Sequence, residues 1–249
     1  MAATPALSVI IPFFNEEGNV HPVLDEVHEQ LAAIPFEVIC INDQSSDRTG
    51  EELAEAKSKR PATIIVFNHV RRCGKSAALF TGLRAAQGSW IQLLDGDGQN
   101  DPADTARLWQ QIIAPGAPPR LGIIAGRRNS RNDSGFKWVQ SRVANGVRRF
   151  VLQDDATDTG CGWKLVRTEA FHELPYFASM HRFLPALIKR AGWDVHEELV
   201  NDRRRLGGTS KYGFLDRLGA GMFDLAGMFW LVRRGGYGVA HEWDDPRAG

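Results

Sequence analysis

Two hydrophobic periods alternate along the first half of the chain. Residues 7–11, 36–41, 63–67, 90–94 and 121–125 are short, nearly continuous apolar runs rich in Ile, Val and Leu, the pattern of strands enclosed on both faces. Between them Val20, Val23, Leu24, Val27 and Leu31 recur at helical spacing, and residues 75–86 and 103–113 carry the same period. Thr49 is placed to open a further helix, with Glu52 three residues on as its capping-box partner. This β-α-β-α order predicts an α/β domain with a mostly parallel sheet and helices on both faces. Ligands of such sheets gather at the carboxyl ends of the strands, so the segments that follow each strand are the places to look.

The second half is less regular. Residues 137–152 read as a helix, 163–166 as a strand, 183–191 as a helix, 195–200 as an extended segment and 203–212 as a polar, glycine-containing loop. Residues 215–232 form a strong amphipathic helix in which Leu215, Leu218, Met222, Leu225, Phe229 and Val232 make the apolar stripe, with Asp216, Arg217 and Asp224 off it. Arg233 and Arg234 follow directly, which suits an anionic bilayer surface; an ordinary core-packing or dimer-forming helix has the same pattern. The chain thus divides into an α/β domain over residues 1–212 and a C-terminal amphipathic helix and tail over residues 213–249.

Composition narrows the classes. The 249 residues fit one such domain, and 43% apolar content supports a sizeable core. Lys+Arg and Asp+Glu both number 30, so no nucleic-acid partner is expected, although residues 127–149 and 203–211 are locally basic. The three cysteines, Cys40, Cys73 and Cys161, are widely spaced without a CxxC, which argues against a disulfide framework or a zinc site. No basic segment precedes a long apolar run at the N-terminus, and no uninterrupted apolar stretch of about 18 residues occurs. The expectation is a cytoplasmic protein, peripheral at the inner face of the membrane.

Three strand-terminal turns carry carboxylates: Pro12 to Glu17, Asn42 to Asp47 and Asp95 to Asp101. Asp and Asn end strands and cap helices for structural reasons alone, but the third turn is harder to dismiss. In Asp95-Gly96-Asp97-Gly98-Gln99 two carboxylates and an amide oxygen alternate with glycines, which permit unusual backbone angles and close ligand approach. Such oxygen ligands suit Mg²⁺ or Mn²⁺, an ion that needs only one or two carboxylates when a diphosphate supplies further oxygens. Gly74-Lys75-Ser76 imitates a phosphate-binding P-loop, but His69 stands where that motif requires glycine. No GxGxxG follows a strand, which argues against a dinucleotide enzyme. The seven histidines form no HxxxH or triad-like set, and His21 and His28 read as surface residues of one helix.

Taken in order, Ser8-Val9-Ile10-Ile11-Pro12-Phe13-Phe14-Asn15-Glu16, Ile41-Asn42-Asp43-Gln44-Ser45-Ser46-Asp47 and Asp95 to Gln99 resemble family 2 glycosyltransferases of the GT-A fold, a Rossmann-like α/β architecture. Gly126-Arg127-Arg128, Asp158-Thr159-Gly160-Cys161-Gly162-Trp163-Lys164, and Arg205 with Gly208-Thr209-Ser210-Lys211-Tyr212 are closer to the dolichol-phosphate mannosyltransferase branch, which glycosylates polyprenyl phosphates. The resemblance implies a nucleotide-sugar donor and a polyprenyl phosphate acceptor. It implies that Pro12, Phe14, Glu16, Ile41, Asp43 and Gly96 surround the nucleotide, and that Asp95, Asp97 and Gln99 hold the metal. Arg127, Lys137, Ser141, Arg205 and Lys211 would face the acceptor phosphate, with Asp97, Arg127, Arg205 and Lys211 carrying the catalytic work. Gln44 stands where the family usually has glycine, and Lys137 where a close relative has arginine. Nothing in residues 42–47 chooses between guanine and uracil, and mannose is the family's default sugar. A second reading is a family 2 transferase with a hydroxyl acceptor, for which Asp158 would be the general base. A third is a catalytically silent nucleotide-sugar-binding module.

Overall fold

A computed structural model of the chain describes residues 4–128, 152, 156–205 and 214–234, with the side chains of the last helix from residue 223 onward. The strands are β1 (Leu7–Phe13), β2 (Phe36–Asn42), β3 (Ile64–Asn68), β4 (Trp90–Leu93), β5 (Leu121–Arg128), β6 (Lys164–Arg167) and β7 (Asp194–Val200). The helices are α1 (Val20–Gln30), α2 (Thr49–Lys59), α3 (Lys75–Ala85), α4 (Pro102–Leu108), which runs into a π-helical turn at Trp109–Ile113, α5 (Thr168–His172), α6 (Leu184–Arg190) and α7 (Phe214–Arg233). The strands form one seven-stranded sheet in the order β3-β2-β1-β4-β6-β5-β7. All neighbours pair in parallel except β6, which runs antiparallel to both β4 and β5. The mostly parallel α/β sheet expected from the sequence is the observed one.

Alternation along each strand splits the core in two. Val9, Ile11, Val38 and Cys40 face one side, where α1 packs Val23, Leu24 and Val27 on them. Ile10, Ile39, Ile41, Ile91 and Leu93 face the other, under α3, α5 and α6. Each such fully buried aliphatic side chain stabilises the fold by roughly 1.5–3 kcal/mol. The edge strand β7 carries Asp194, Glu197 and Glu198, charges that discourage further strand pairing.

At the amino ends of the strands a buried polar group ties three strands together. Ser8 Oγ donates to Glu37 Oε1 (2.7 Å), while the Gln87 and Gly88 amides donate to Glu37 Oε1 (2.7 Å) and Ser8 Oγ (2.8 Å). The capping box predicted at Thr49 is replaced by another arrangement. Asp47 accepts from the Thr49 amide and hydroxyl, and Glu52 turns away to the Gly18 amide. His28 is likewise not a plain surface residue, since its ring bonds the Leu24 carbonyl and the Thr63 hydroxyl.

The C-terminal helix runs over nearly the predicted span, but its apolar stripe is divided. Met228 is buried, and Leu225, Leu231 and Val232 pack on the core, fastened by Arg190 Nε donating to the Leu231 carbonyl (3.0 Å). The outward side carries Phe223, Phe229 and Trp230, the first 85% exposed. Of the two readings of the stripe, core packing holds for Leu225 and Val232; the positions of Leu215, Leu218 and Met222 lie outside the described side chains. No described helix is long and apolar enough to cross a membrane.

Candidate active site at the carboxyl edge of the sheet

β4 ends at Leu93, and the chain turns at once. The Asp95 amide donates to Asn100 Oδ1 (2.8 Å), and Gly98 has φ +74°, a value that favours glycine. Asp101 caps α4 by accepting from the Ala103 amide, with Pro102 in the first turn. Below the turn, Gln92 Oε1 accepts from Thr105 Oγ1 (2.9 Å), which in turn accepts from Trp163 Nε1 (3.2 Å). This buried chain fixes β4, α4 and the segment before β6 against one another. Because β6 runs backwards, its start lies beside the end of β4. Gly162 is thereby set against the Asp95 carboxylate, in a space too small for a Cβ atom.

Each oxygen-bearing side chain of the turn meets a cation. Lys75 Nζ forms a short ion pair with Asp95 Oδ1. Arg205 Nη2 lies 3.0 Å from Asp97 Oδ2, and its Nε donates to Gln99 Oε1 (3.0 Å). Arg205 is delivered by a segment stitched to the turn: Asn100 and Asp202 form an isolated bridge, the Arg203 amide donates to the Gln99 carbonyl, and Arg203 forks onto both Glu26 oxygens. Arg203 is thus an anchor of the loop, and Arg205 is its group at the site.

The two aspartates differ in proton affinity. Burial works to raise the Asp95 pKa, but Lys75, helped by Lys164 and His181, holds it below the ordinary carboxylate range. Burial and the adjacent Asp95 charge push the Asp97 carboxyl above that range. Two close carboxylates with opposed shifts mark a place that gains from a cation.

Two cavities open beside the turn. The outer cleft, of about 220 Å³, is lined by Pro12, Phe14, Glu16, Asp43, Arg72 and the Asp95–Asp97 turn. Arg72 lies over the Phe14 ring, 4.1 Å from its centroid. Asp43 is a buried part of the cleft's lining. Burial favours its neutral form, yet the Cys73 amide, His69 and the Gly74 amide together hold its pKa below the ordinary value. His69, Cys73 and Asp43 lie close enough to resemble a metal-ligand set, but Asp43 already accepts three hydrogen bonds and His69 Nε2 is engaged by Thr81. Gln44 has φ +58°, which explains why glycine suits this position. Its amide spans the gap to the next loop, accepting from the Arg72 amide and donating to the Val70 carbonyl.

The inner cavity, of about 380 Å³, shares Lys75, Asp95 and Arg205 with the outer one and continues past them to Arg128, Gly162, Lys164, His181 and Arg182. Lys164 is 4% exposed and donates to the Cys161 carbonyl. Burial lowers its pKa to about 8. Burial, and then the charges of Lys75 and Lys164, push the His181 pKa well below its usual value, with Nδ1 bonded to the Ser76 hydroxyl (2.8 Å).

Of the residues singled out from the sequence, Pro12, Phe14, Glu16, Asp43, Asp95, Gly96, Asp97, Gln99 and Arg205 line these cavities. Ile41 is fully buried in the core and lines neither. Arg127 is exposed and also lines neither; the alternation of β5 turns Arg128 inward instead, where it forks onto Asp158 (2.7 and 2.8 Å). Lys137, Ser141 and Lys211 lie outside the described residues. Sequence reasoning passed over Lys75, His69, Arg72, Lys164 and Arg182. Lys75 had a signal, the Gly-Lys-Ser tripeptide, which does not form a P-loop but does send a lysine into the site.

Comparison with known proteins agrees with this geometry. The glucosyl-3-phosphoglycerate synthase of Mycobacterium tuberculosis, solved with Mn²⁺, UDP and phosphoglyceric acid, shares the fold at a TM-score of 0.68 and 19% identity over 92% of this chain and 79% of that one. The dodecaprenyl-phosphate galacturonate synthase of Rhizobium johnstonii is 28% identical over 91% of this chain and 67% of its own length. The undecaprenyl-phosphate 4-deoxy-4-formamido-L-arabinose transferase of Pectobacterium carotovorum is 32% identical over 88% of this chain and 66% of its own. The chain therefore spans about two thirds of the length of these relatives. The sequence model described as Glycosyl transferase family 2 matches residues 8–175, and with the GT-A arrangement of sheet and carboxylate turn already in place, the chain belongs to glycosyl transferase family 2.

Proposed function

We propose that this protein is an inverting glycosyltransferase that moves a sugar from a GDP- or UDP-sugar to a polyprenyl phosphate, using Mg²⁺ or Mn²⁺. The observation that carries the reading is the cation pairing of the turn: Asp95, Asp97 and Gln99 each hold a cationic side chain through an oxygen. An oxygen set so disposed to positive charge fits a divalent ion, which when bound acts as a Lewis acid on the leaving diphosphate. Lys75, released from Asp95, stands beside both cavities and can hold the donor's phosphates. The outer cleft is of a size for a nucleoside, with Asp43 as a hydrogen-bond acceptor for the base and Phe14 as a wall.

A phosphate monoester has a second pKa of about 6 and is largely dianionic near neutrality. Its oxygen can bond to the anomeric carbon as the bond to the diphosphate breaks, the electron pair leaving with the diphosphate. No proton need be removed, so no general base is required. The hydroxyl-acceptor alternative needs one, but both Asp158 oxygens are held by Arg128, and Asp158 lines neither cavity. The intact oxygen set speaks against a silent binding module. Arg127, Lys137, Ser141, Arg205 and Lys211 remain the residues proposed for the acceptor phosphate, on resemblance.

Relatives named for dodecaprenyl and undecaprenyl phosphate support a lipid acceptor. The outward Phe223, Phe229 and Trp230 of α7, followed by Arg233 and Arg234, support peripheral contact with a membrane surface. Mannose is the sugar the dolichol-phosphate mannosyltransferase resemblance offers first; the relatives' names include galacturonate and formamido-arabinose.

The test is transfer of labelled sugar from a panel of GDP- and UDP-sugars to undecaprenyl phosphate. Activity is expected with Mn²⁺ or Mg²⁺, lost in EDTA, and lower by at least the order of 10²–10³ in Asp97→Asn. Thermal stabilisation by GDP or UDP with Mn²⁺ identifies the base. Full activity after exhaustive chelation, or in folded Asp97→Asn, would reduce the turn to a strand ending.

A further inference from the structure

We propose that the inner cavity contains an anion subsite, built from Lys164 and Arg182, that takes the carboxylate of a uronic acid on the donor. This rests on the donor reading above, which places the nucleoside in the outer cleft and the diphosphate at the wall common to both cavities. In such a donor the sugar lies beyond the diphosphate, and in this molecule the inner cavity lies beyond the shared wall.

The charges there do not balance around a neutral sugar. Among the described residues, five cationic side chains line the inner cavity: Lys75, Arg128, Lys164, Arg182 and Arg205. Three have carboxylate partners, Asp95 for Lys75, Asp158 for Arg128 and Asp97 for Arg205. Lys164 and Arg182 form no salt bridge with any described residue. Asp202 also faces this cavity and acts on Arg128, which leaves one positive charge in excess among the described residues.

Lys164 is the more telling of the two. It is almost wholly enclosed, and its hydrogen bond goes to a neutral carbonyl, that of Cys161. An ammonium has three donors, and enclosing one with a single neutral acceptor is unfavourable unless an anion joins it. Unlike Lys75 and Arg205, Lys164 and Arg182 line only the inner cavity. They are therefore placed to meet the sugar and not the nucleoside. Sugar hydroxyls would be served by a neutral group such as the His181 ring; a surplus of positive charge fits a substituent that carries negative charge.

The experiment is calorimetric titration of the full chain at pH 7 with Mn²⁺, using UDP, UDP-glucose and UDP-glucuronate, UDP-galactose and UDP-galacturonate, and the matching GDP-mannose and GDP-mannuronate pair. At least tenfold tighter binding of the uronate in one pair is expected. Lys164→Met should erase that preference while the affinity for the bare nucleotide is kept. Arg182→Gln, on the more exposed wall, should reduce the preference in the same direction and serves if Lys164→Met does not fold. Equal affinity for neutral and acidic donors in the wild type overturns the proposal. So does equal weakening of the bare nucleotide in both variants, which would assign the cations to the diphosphate. Loss confined to the KM for undecaprenyl phosphate overturns it too, in favour of the acceptor. No binding of either nucleotide would instead refute the donor reading itself.

Discussion

Replacing Gly162 by alanine adds one methyl group at the point where the second half of the sheet meets the Asp95 carboxylate. Its Cβ would approach Asp95 Oδ2 and Cγ well inside the 3.0 Å that real Cβ atoms respect, and would stand 3.0 Å from Asn100 Oδ1. Neither neighbour can simply rotate aside. Lys75 holds one Asp95 oxygen, and Asn100 Oδ1 accepts the Asp95 amide that closes the turn. Trp163, the next residue, is fully buried and hydrogen-bonded to Thr105, so the glycine cannot back away either. The relief is a displacement of the carboxylate of roughly 1 Å, an error that typically lowers a rate on the order of 10²-fold. Overpacking should also destabilise the fold by about 1–3 kcal/mol. The assay combines Mn²⁺ titration by electron paramagnetic resonance, sugar transfer at saturating donor and a thermal melt. Weaker Mn²⁺ binding and transfer reduced about a hundredfold in a folded protein are expected. Wild-type Mn²⁺ affinity and transfer in Gly162→Ala would show that Asp95 does not hold the ion.

Other perturbations probe different parts of the site. Lys75→Met removes the cation that competes for Asp95, so Mn²⁺ should bind the nucleotide-free protein more tightly while transfer falls; unchanged Mn²⁺ affinity would refute the competition. Asp43 has a folded pKa held below its unfolded value of about 3.9, so its stabilisation is complete above that value and disappears as pH falls through the lower folded one. Asp43→Asn should accordingly lower the melting temperature at pH 7, with the difference narrowing as pH falls below about 4; a gap that stays constant with pH would contradict this. The paired change Phe223→Glu and Trp230→Glu should reduce co-sedimentation with anionic liposomes while nucleotide binding persists, and undiminished co-sedimentation would remove α7 from the membrane reading. Leu225→Glu, by contrast, should destabilise the fold, because Leu225 packs on the core.

The strands were legible because apolar runs bounded by polar turns leave few alternatives in a parallel sheet, and the Asp95–Gln99 turn because glycine between oxygen-bearing side chains has a chemical meaning. Among the cations Arg205 was legible, whereas the roles of Lys75 and Lys164 were not. Lys75 and Lys164 are far from Asp95 in the chain, and only the reversal of β6 brings the second of them to the carboxyl edge. Arg127 and Arg128 are adjacent, so choosing between them needs the pleat of β5, which sequence alone does not phase. The helix stripe at residues 215–232 left core packing and a bilayer surface both open, because a 3-4 pattern marks an apolar face without naming what covers it; α6 and the core take Leu225 and Val232.

The polar knot of Ser8, Glu37, Gln87 and Gly88 lies at the end of the sheet away from the site, yet it governs how accurately the site can be assembled. A strand is a ruler with divisions of about 3.3 Å, and a slip by one division reverses every side chain on it. β4 has only four residues, Trp90–Leu93, too few for its own ladder to reject a misaligned pairing strongly. Glu37 can accept the Gln87 amide, and Ser8 the Gly88 amide, only when β1, β2 and β4 are all in the native alignment. The knot thus acts as the zero mark of the ruler. An error at that mark would be carried along β4 undiminished and would deliver Asp95 a full division away from Lys75 and Gly162, on the wrong side of the sheet.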